Sequence, residues 1–230
     1  MKLAIMQPYF MPYLGYFQAI AAVDKYVVYD DVNYIKGGWI NRNHLIIGGE
    51  KKLFTITLKS SSPNKLINEI EIGDDFKRFL RMVQLNYVKA SYFEELFVLL
   101  SCICGFENKN LGLFLMNSFQ NICNYLDIQT ELILSSNLEK DNSLKGEKKV
   151  LHICNLLEAK TYTNAIGGQE LYSKEEFAQY GIDLKFIKMD SDIAYPQFSK
   201  EFVPNLSIID VLMHNGKEGT KSLLNRYTFV

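Results

Sequence analysis

The chain has 230 residues, with 25 lysines and arginines against 26 aspartates and glutamates, and 48% of it is hydrophobic. That length and hydrophobic share suit one large globular unit, and a formal net charge of −1 excludes a strong overall field for nucleic acid. The apolar start "MKLAIM" is too short for a secretory signal, and no stretch approaches the about 18 uninterrupted apolar residues of a membrane span, so a cytoplasmic location is expected.

"LAIMQ" reads as a buried strand, and the loop "PYFMPY" follows it. Gln7-Pro8 and Met11-Pro12 forbid an ordinary helix there, because proline fixes φ and pushes the preceding residue out of helical geometry. "LGYFQAIAAV" is an amphipathic helix and "KYVVYDDV" a second strand ending in Asp30 and Asp31. Strand, loop, helix and strand within about 30 residues make a parallel crossover unit. "KLFTITL" and "INEIEI" alternate apolar and polar residues and suit a hairpin or two sheet-edge strands. A helical insertion covers residues 74 to 126, where apolar groups recur every three or four residues.

"TELILSS" returns to strand, "GEKKVLHICNLLEA" is a helix, "KTYTNAI" a strand, and "SKEEFAQYG" a helix that Ser173 can cap with Glu176 as its capping-box partner. "IDLKFIKM" closes the alternation and a helical region follows, on which Ser207 and Asp210 have capping-box spacing and His214 can complement the helix dipole. The order predicts an α/β fold, a largely parallel sheet covered by helices on both faces in the Rossmann-like manner, in one domain over residues 1 to 230. Cys102, Cys104, Cys123 and Cys154 lack CxxC spacing and only three histidines are present, so buried thiols are expected and no metal site.

In parallel sheets ligands lie outside the carboxyl ends of the strands, where strand order reverses. Gln7, Tyr9, Tyr13 and Tyr16 follow the first strand, and Asp30, Asp31 and Tyr34 the second, so both sets are expected on one rim. "YDDVNYIKGGWINRNH" adds Lys36, Trp39, Asn41, Arg42 and Asn43 around a Gly-Gly turn. Arg42 offers a two-pronged fork for carboxylate or phosphate, and Lys36 a point charge for phosphate or for Asp30 or Asp31. "YTNAIGGQELY" places Asn164, Gly167, Gly168 and Tyr172 after another strand, and Gly-Gly alone is a weak phosphate cradle. Asp30 or Asp31 is the expected base, with one pKa raised by the like charge beside it, whereas His44 reads as structural.

The motifs "MQPYFMPYLGYFQAI", "DKYVVYDDVNYIKGGWINRN", "NAIGGQELY" and "NLSIIDVLMHNG", in this order across practically the whole chain, resemble the WbqC-like proteins. The resemblance implies a bacterial setting in O-antigen or other surface polysaccharide synthesis, and transfer of a glycyl, other aminoacyl or acyl group onto a sugar. It carries over to Gln7, Pro8, Tyr9, Pro12, Gly15, Tyr16, Asp30, Asp31, Trp39, Asn41, Arg42, Asn43, Asn164, Gly167, Gly168, Tyr172, Ser207 and Asp210. The partners it implies are a sugar or nucleotide-sugar acceptor and an activated donor such as a carrier thioester, a coenzyme A thioester or an aminoacyl-tRNA, and it specifies no cofactor. The opening also looks like that of nucleotidylyltransferases, but "PYLGYF" lacks the histidines of their HxGH motif. A nucleotide-binding enzyme of that type and a non-catalytic glycan-pathway module are the alternatives.

Overall fold

In the computed structural model, which describes residues 1–230, the first apolar run forms β1 (Lys2–Met6), and the proline-bearing loop delays α1 (Leu14–Ala21) by seven residues. β2 (Lys25–Val28) then runs parallel to β1. β3 (Arg42–Ile47) and β4 (Glu50–Thr55) form an antiparallel hairpin. β5 (Leu58–Lys59) and β6 (Glu71–Ile72) make a two-residue ladder. α2 (Lys77–Tyr87), α3 (Phe93–Cys104) and α4 (Leu111–Tyr125) are the expected helical insertion, and Asn110 caps α4 by accepting the Leu113 amide at 3.1 Å. β7 (Glu131–Leu134), α5 (Gly146–Leu156), β8 (Thr161–Ala165), α6 (Lys174–Gln179) and β9 (Asp183–Met189) resume the alternation. α7 (Ile208–Leu224) and β10 (Tyr227–Phe229) end it.

The main sheet has the order β10-β9-β8-β1-β2-β7, with every pairing parallel except that of β10 with β9. Numbered along the chain, these six strands stand 6-5-4-1-2-3, the doubly wound order of dinucleotide-binding folds. Crossovers are right-handed, so the reversal of winding at β1 sends the two halves' helices to opposite faces. Ala4, Tyr26 and Val28 accordingly pack with Tyr16 of α1, Phe119 of α4 and Val211 of α7. Leu3, Ile5 and Val27 pack on the other face with Cys154 of α5 and Phe177 of α6. The insertion shares the first of these clusters through Val83, Phe93 and Phe114.

Three details differ from expectation. Most of "KLFTITL" lies in β4 and pairs with β3, because Gly48 and Gly49 take φ of 63° and 82° and close a two-residue hairpin loop, and only its last residue, Leu58, pairs with Ile72 of "INEIEI". β10 had no signal of its own, since three residues gain stability only by adding to an existing edge. Ser173 does accept the Glu176 amide at 3.2 Å, but the carboxylate that receives the Ser173 amide belongs to Glu147 at 2.7 Å. Cys104, Cys123 and Cys154 are buried, which pushes each thiol up to about 12, whereas Cys102 is exposed.

Candidate functional site

Winding reverses between β1 and β8, and the loop after β1 enters the crevice that this opens. Two distant segments, residues 40–43 and 207–208, hold the loop. Phe10 donates its amide to Ile40 O at 2.9 Å, and Ile208 donates to Pro12 O at 2.8 Å. Met11, at φ 49°, has its carbonyl engaged by both Asn43 Nδ2 at 2.7 Å and Ser207 Oγ at 2.8 Å. A left-handed residue other than glycine is kept only where its surroundings over-determine it. Tyr9 and Tyr13 consequently stand at fixed positions on the rim.

They line a cavity of about 480 Å³ with Trp39, Asn43, Lys188 and Asn205, floored by Gly15, Gln18 and the carboxyl ends of β8 and β9 at Ile166 and Ile187. A smaller cavity of about 300 Å³ shares Tyr13, Met189 and Asn205 with it. Gly15 is required here, since a Cβ would stand 2.5 Å from the Tyr13 ring. Trp39 is 45% exposed, with the Arg42 guanidinium 5.9 Å from its ring centre and the His44 ring at 5.4 Å. Gln18 is fully buried and donates to Leu223 O and Arg226 O, both at 2.9 Å, while its Oε1 has no partner. Burial raises the Tyr9 and Tyr13 phenols, so at neutral pH they serve as uncharged donors and acceptors. No carboxylate or imidazole lines this cavity. Aromatic faces flanked by amides and one ammonium suit a flat or polyhydroxylated ligand with polar edges.

The two adjacent acids do not share that cavity. Asp30 is buried beneath the start of α4, and its two oxygens accept from the Ser136 amide at 3.0 Å and hydroxyl at 2.7 Å. Asp31 pairs with Lys140 at 2.8 Å and Lys149 at 3.1 Å. Burial alone would raise its pKa, but Lys140, Ser135 and Lys149 outweigh burial and hold the carboxyl below its ordinary value, the reverse of the expected shift. An ion-paired carboxylate of lowered pKa is a poor proton acceptor at neutral pH. The role of base is therefore not supported at Asp31, and Asp30, with both oxygens engaged by Ser136, lies outside the cavity.

Residues 7–222 match the WbqC-like protein family. The chain belongs to that family. It is also 29% identical over 221 residues to a Mycobacterium tuberculosis protein named "Uncharacterized protein Rv1507c", a match covering 94% of this chain and 95% of that one. No solved structure matches.

The family motifs divide by position. Of the residues expected to bind substrate, Tyr9, Tyr13, Trp39 and Asn43 meet at the switch-point cavity of this WbqC-like chain, and Arg42 stands behind Trp39, its Nε donating to Gly38 O at 2.7 Å. Gln7 follows β1 on the same rim but lines neither cavity there, and its carbonyl accepts the Tyr16 hydroxyl at 2.6 Å. Lys36 is exposed. Other expected ligands of substrate turn out to be buried supports. Tyr16 is enclosed by Tyr9, Tyr26 and Phe119 in the core. Tyr34 donates to Asn41 Oδ1 at 2.9 Å, and Asn41 donates to Ile56 O at 2.8 Å, which ties the loop after β2 to the hairpin.

Asn164 folds back on its own chain, accepting the Ala165 amide at 2.8 Å and packing against Gly168, where a Cβ would stand 2.6 Å from Nδ2. Gly167 is exposed with nothing near it, and Tyr172 packs on Tyr162 and Phe177 away from the cavity. Ser207 caps α7 through the Ile209 amide at 3.3 Å. Asp210 does not complete a capping box. Its carboxylate accepts from Tyr87 Oη at 2.7 Å, Tyr195 Oη at 2.9 Å and Gln197 Nε2 at 3.0 Å, and burial raises its pKa against the pull of those donors. His214 packs on Phe198 at 4.7 Å, and burial lowers its pKa, so it supplies no charge to a helix end.

Gln18, Lys188 and Asn205 escaped the sequence reading. Lys188 carried a usable signal, because it stands at the carboxyl end of a predicted strand. Gln18 read as the polar side of an amphipathic helix. It was legible as a site residue only once α7 had been placed against α1.

Proposed function

We propose that this chain is a transferase that moves a glycyl, other aminoacyl or acyl group onto an amino sugar during bacterial surface polysaccharide synthesis, the O-antigen setting included. One observation carries the reading: the winding reversal opens into a cavity of about 480 Å³ faced by Tyr9, Tyr13 and Trp39 and edged by Asn43 and Asn205. Aromatic faces cover the apolar side of a sugar or a nucleotide base, and the amides select hydroxyls at its edge.

The absence of a carboxylate or imidazole from the lining favours an amine as nucleophile. A neutral amine attacks an activated carbonyl without prior deprotonation, so holding the two reactants together supplies much of the acceleration. The amine nitrogen bonds to the carbonyl carbon of the donor, the carbon–sulfur or carbon–oxygen bond to the carrier breaks, and the proton lost by nitrogen leaves with the departing thiol or hydroxyl. A carrier thioester, a coenzyme A thioester and an aminoacyl-tRNA all fit this balance.

The test incubates purified protein with nucleotide-linked amino sugars and each donor class, and reads the mass of the acceptor. An amide-sized gain is expected, with kcat/KM falling at least about tenfold in Trp39→Ala through loss of a central aromatic contact. The same turnover in that variant, or no gain with any donor, refutes the reading. The doubly wound strand order favours a second reading, a nucleotidylyltransferase-type enzyme, for which pyrophosphate release from a nucleoside triphosphate is the deciding measurement. Retention of a sugar nucleotide with no turnover by either route would indicate a binding module.

A further inference from the structure

A third cavity, of about 650 Å³, lies on the same sheet edge beyond β2 and β7, and Asp31, Asn68, Lys140, Lys145 and Lys149 line it. Three lysines and one aspartate are thus gathered at this space. Lys140 and Lys149 have side chains only 1% and 8% exposed, and both contact the same oxygen, Asp31 Oδ2, at 2.8 and 3.1 Å. Lys140 also donates to Ser135 O, and Lys149 lies 5.4 Å from the centre of the Tyr29 ring. Other carboxylates nearby are engaged elsewhere, Asp30 with Ser136, Asp141 with Ser143 and Glu147 with the Ser173 amide.

Two further observations point to a missing partner. Lys145, at the N-cap of α5, and Gly146, its first residue, line the cavity, and no side chain caps that helix start, so its positive end meets the lysines there. The Asp31 side chain is 10% exposed, and its Oδ1 is buried with no hydrogen-bond partner. Ser135 lies near enough to bias the carboxyl downward, yet its Oγ is also without a bond of good geometry. Buried ammoniums in excess of carboxylates cost several kcal/mol unless an anion completes them, and an orphaned buried acceptor calls for a donor.

We infer that this cavity binds a phosphorylated, hydroxyl-bearing small molecule. The phosphate lies among Lys145, Lys149 and the α5 amides, and Asp31 Oδ1 accepts from a hydroxyl of the same molecule. A tetrahedral dianion with three terminal oxygens matches several convergent donors better than a planar carboxylate does. A sugar phosphate and a nucleoside diphosphate share this chemistry. The site stands apart from the switch-point cavity and does not depend on the transfer reaction proposed there.

Calorimetric titration of the full chain tests it with inorganic phosphate, a hexose 1-phosphate, uridine diphosphate and the unphosphorylated hexose. Binding of the phosphorylated organic probes is expected, tighter than inorganic phosphate, with none by the bare hexose. Preference between the two organic probes identifies the source. Lys145 is exposed, so Lys145→Ala and Lys145→Glu leave the fold intact, and they should weaken binding by about tenfold and more than a hundredfold. Ligand should also raise the unfolding temperature of the parent but not of Lys145→Glu. No binding by any phosphate probe, or equal affinity in the parent and both variants, overturns the assignment. Failure of the acyl-transfer assay leaves this titration unaffected.

Discussion

Gly216 breaks α7 at φ 60° and ψ −162°, a backbone conformation open essentially to glycine alone, and a Cβ built there would meet Tyr92 ring carbons at 2.4, 2.5 and 2.8 Å. The kink lets the first half of α7 hold Asp210 against Tyr87 and Tyr195, while the chain beyond it supplies Leu223 O and Arg226 O to Gln18. Gly216→Ala therefore meets two separable costs: about 1–3 kcal/mol of backbone strain and about 1–3 kcal/mol of overpacking against Tyr92. Their sum is about 2–6 kcal/mol, a large part of the stability of an ordinary domain. Tyr92 is 40% exposed, so Tyr92→Ala is tolerated and removes only the steric part. Urea unfolding of the parent, both single variants and the double variant forms a cycle whose coupling term should be about 1–3 kcal/mol. A cost for Gly216→Ala within about 0.5 kcal/mol of zero, or an equal cost in both backgrounds, refutes the account of the kink.

Asp210→Ala leaves two phenols and an amide without their buried acceptor and should lose about 3–5 kcal/mol by denaturant titration, from about 1–3 kcal/mol for each orphaned group less local relaxation; a loss under about 1 kcal/mol would show the carboxylate to be dispensable. Asn43→Ala frees the Met11 carbonyl from one of its two donors and should cost about 1–3 kcal/mol, with faster amide exchange at Phe10, Met11 and Tyr13; unchanged exchange there would mean that Ser207 alone holds the loop. Asp31 has a folded pKa below its unfolded value, so its contribution is complete above the ordinary carboxylate pKa of about 3.9 and fades as pH falls through the lower folded value. Lys140→Met weakens that shift, and stability measured from pH 6 down to 2 should fall less steeply than in the parent; parallel curves would contradict the ion-pair assignment.

Much of the architecture was legible along the chain because a parallel sheet covered on both faces leaves a local trace. "LAIM" and "YVV" are continuous apolar strands, and the helices between them repeat every three to four residues. The β3–β4 hairpin was misread, because "KLFTITL" was matched with "INEIEI" although Gly-Gly in "LIIGGEKKLF" separates two strand-like runs. The polar loops were harder to read. "DVNYIKGGWINRN" mixes residues that face a cavity, such as Trp39, with residues that hold the loop in place, such as Tyr34, Asn41 and Arg42, and both kinds are polar or aromatic.

Composition, periodicity and the proline-bearing loop were enough to establish the class of fold and the sheet edge on which the switch-point cavity opens, since those depend on interactions a few residues long. The partner of each buried charge was not available from local pattern. Asp31 meets Lys140 and Lys149 from more than a hundred residues away, and Gln18 is anchored by carbonyls more than two hundred residues along the chain. Winding brings such groups together, and in a poorly polarisable interior it is the nearest opposite charge or donor, rather than the neighbour in sequence, that decides whether a carboxylate acts as a base or as a brace.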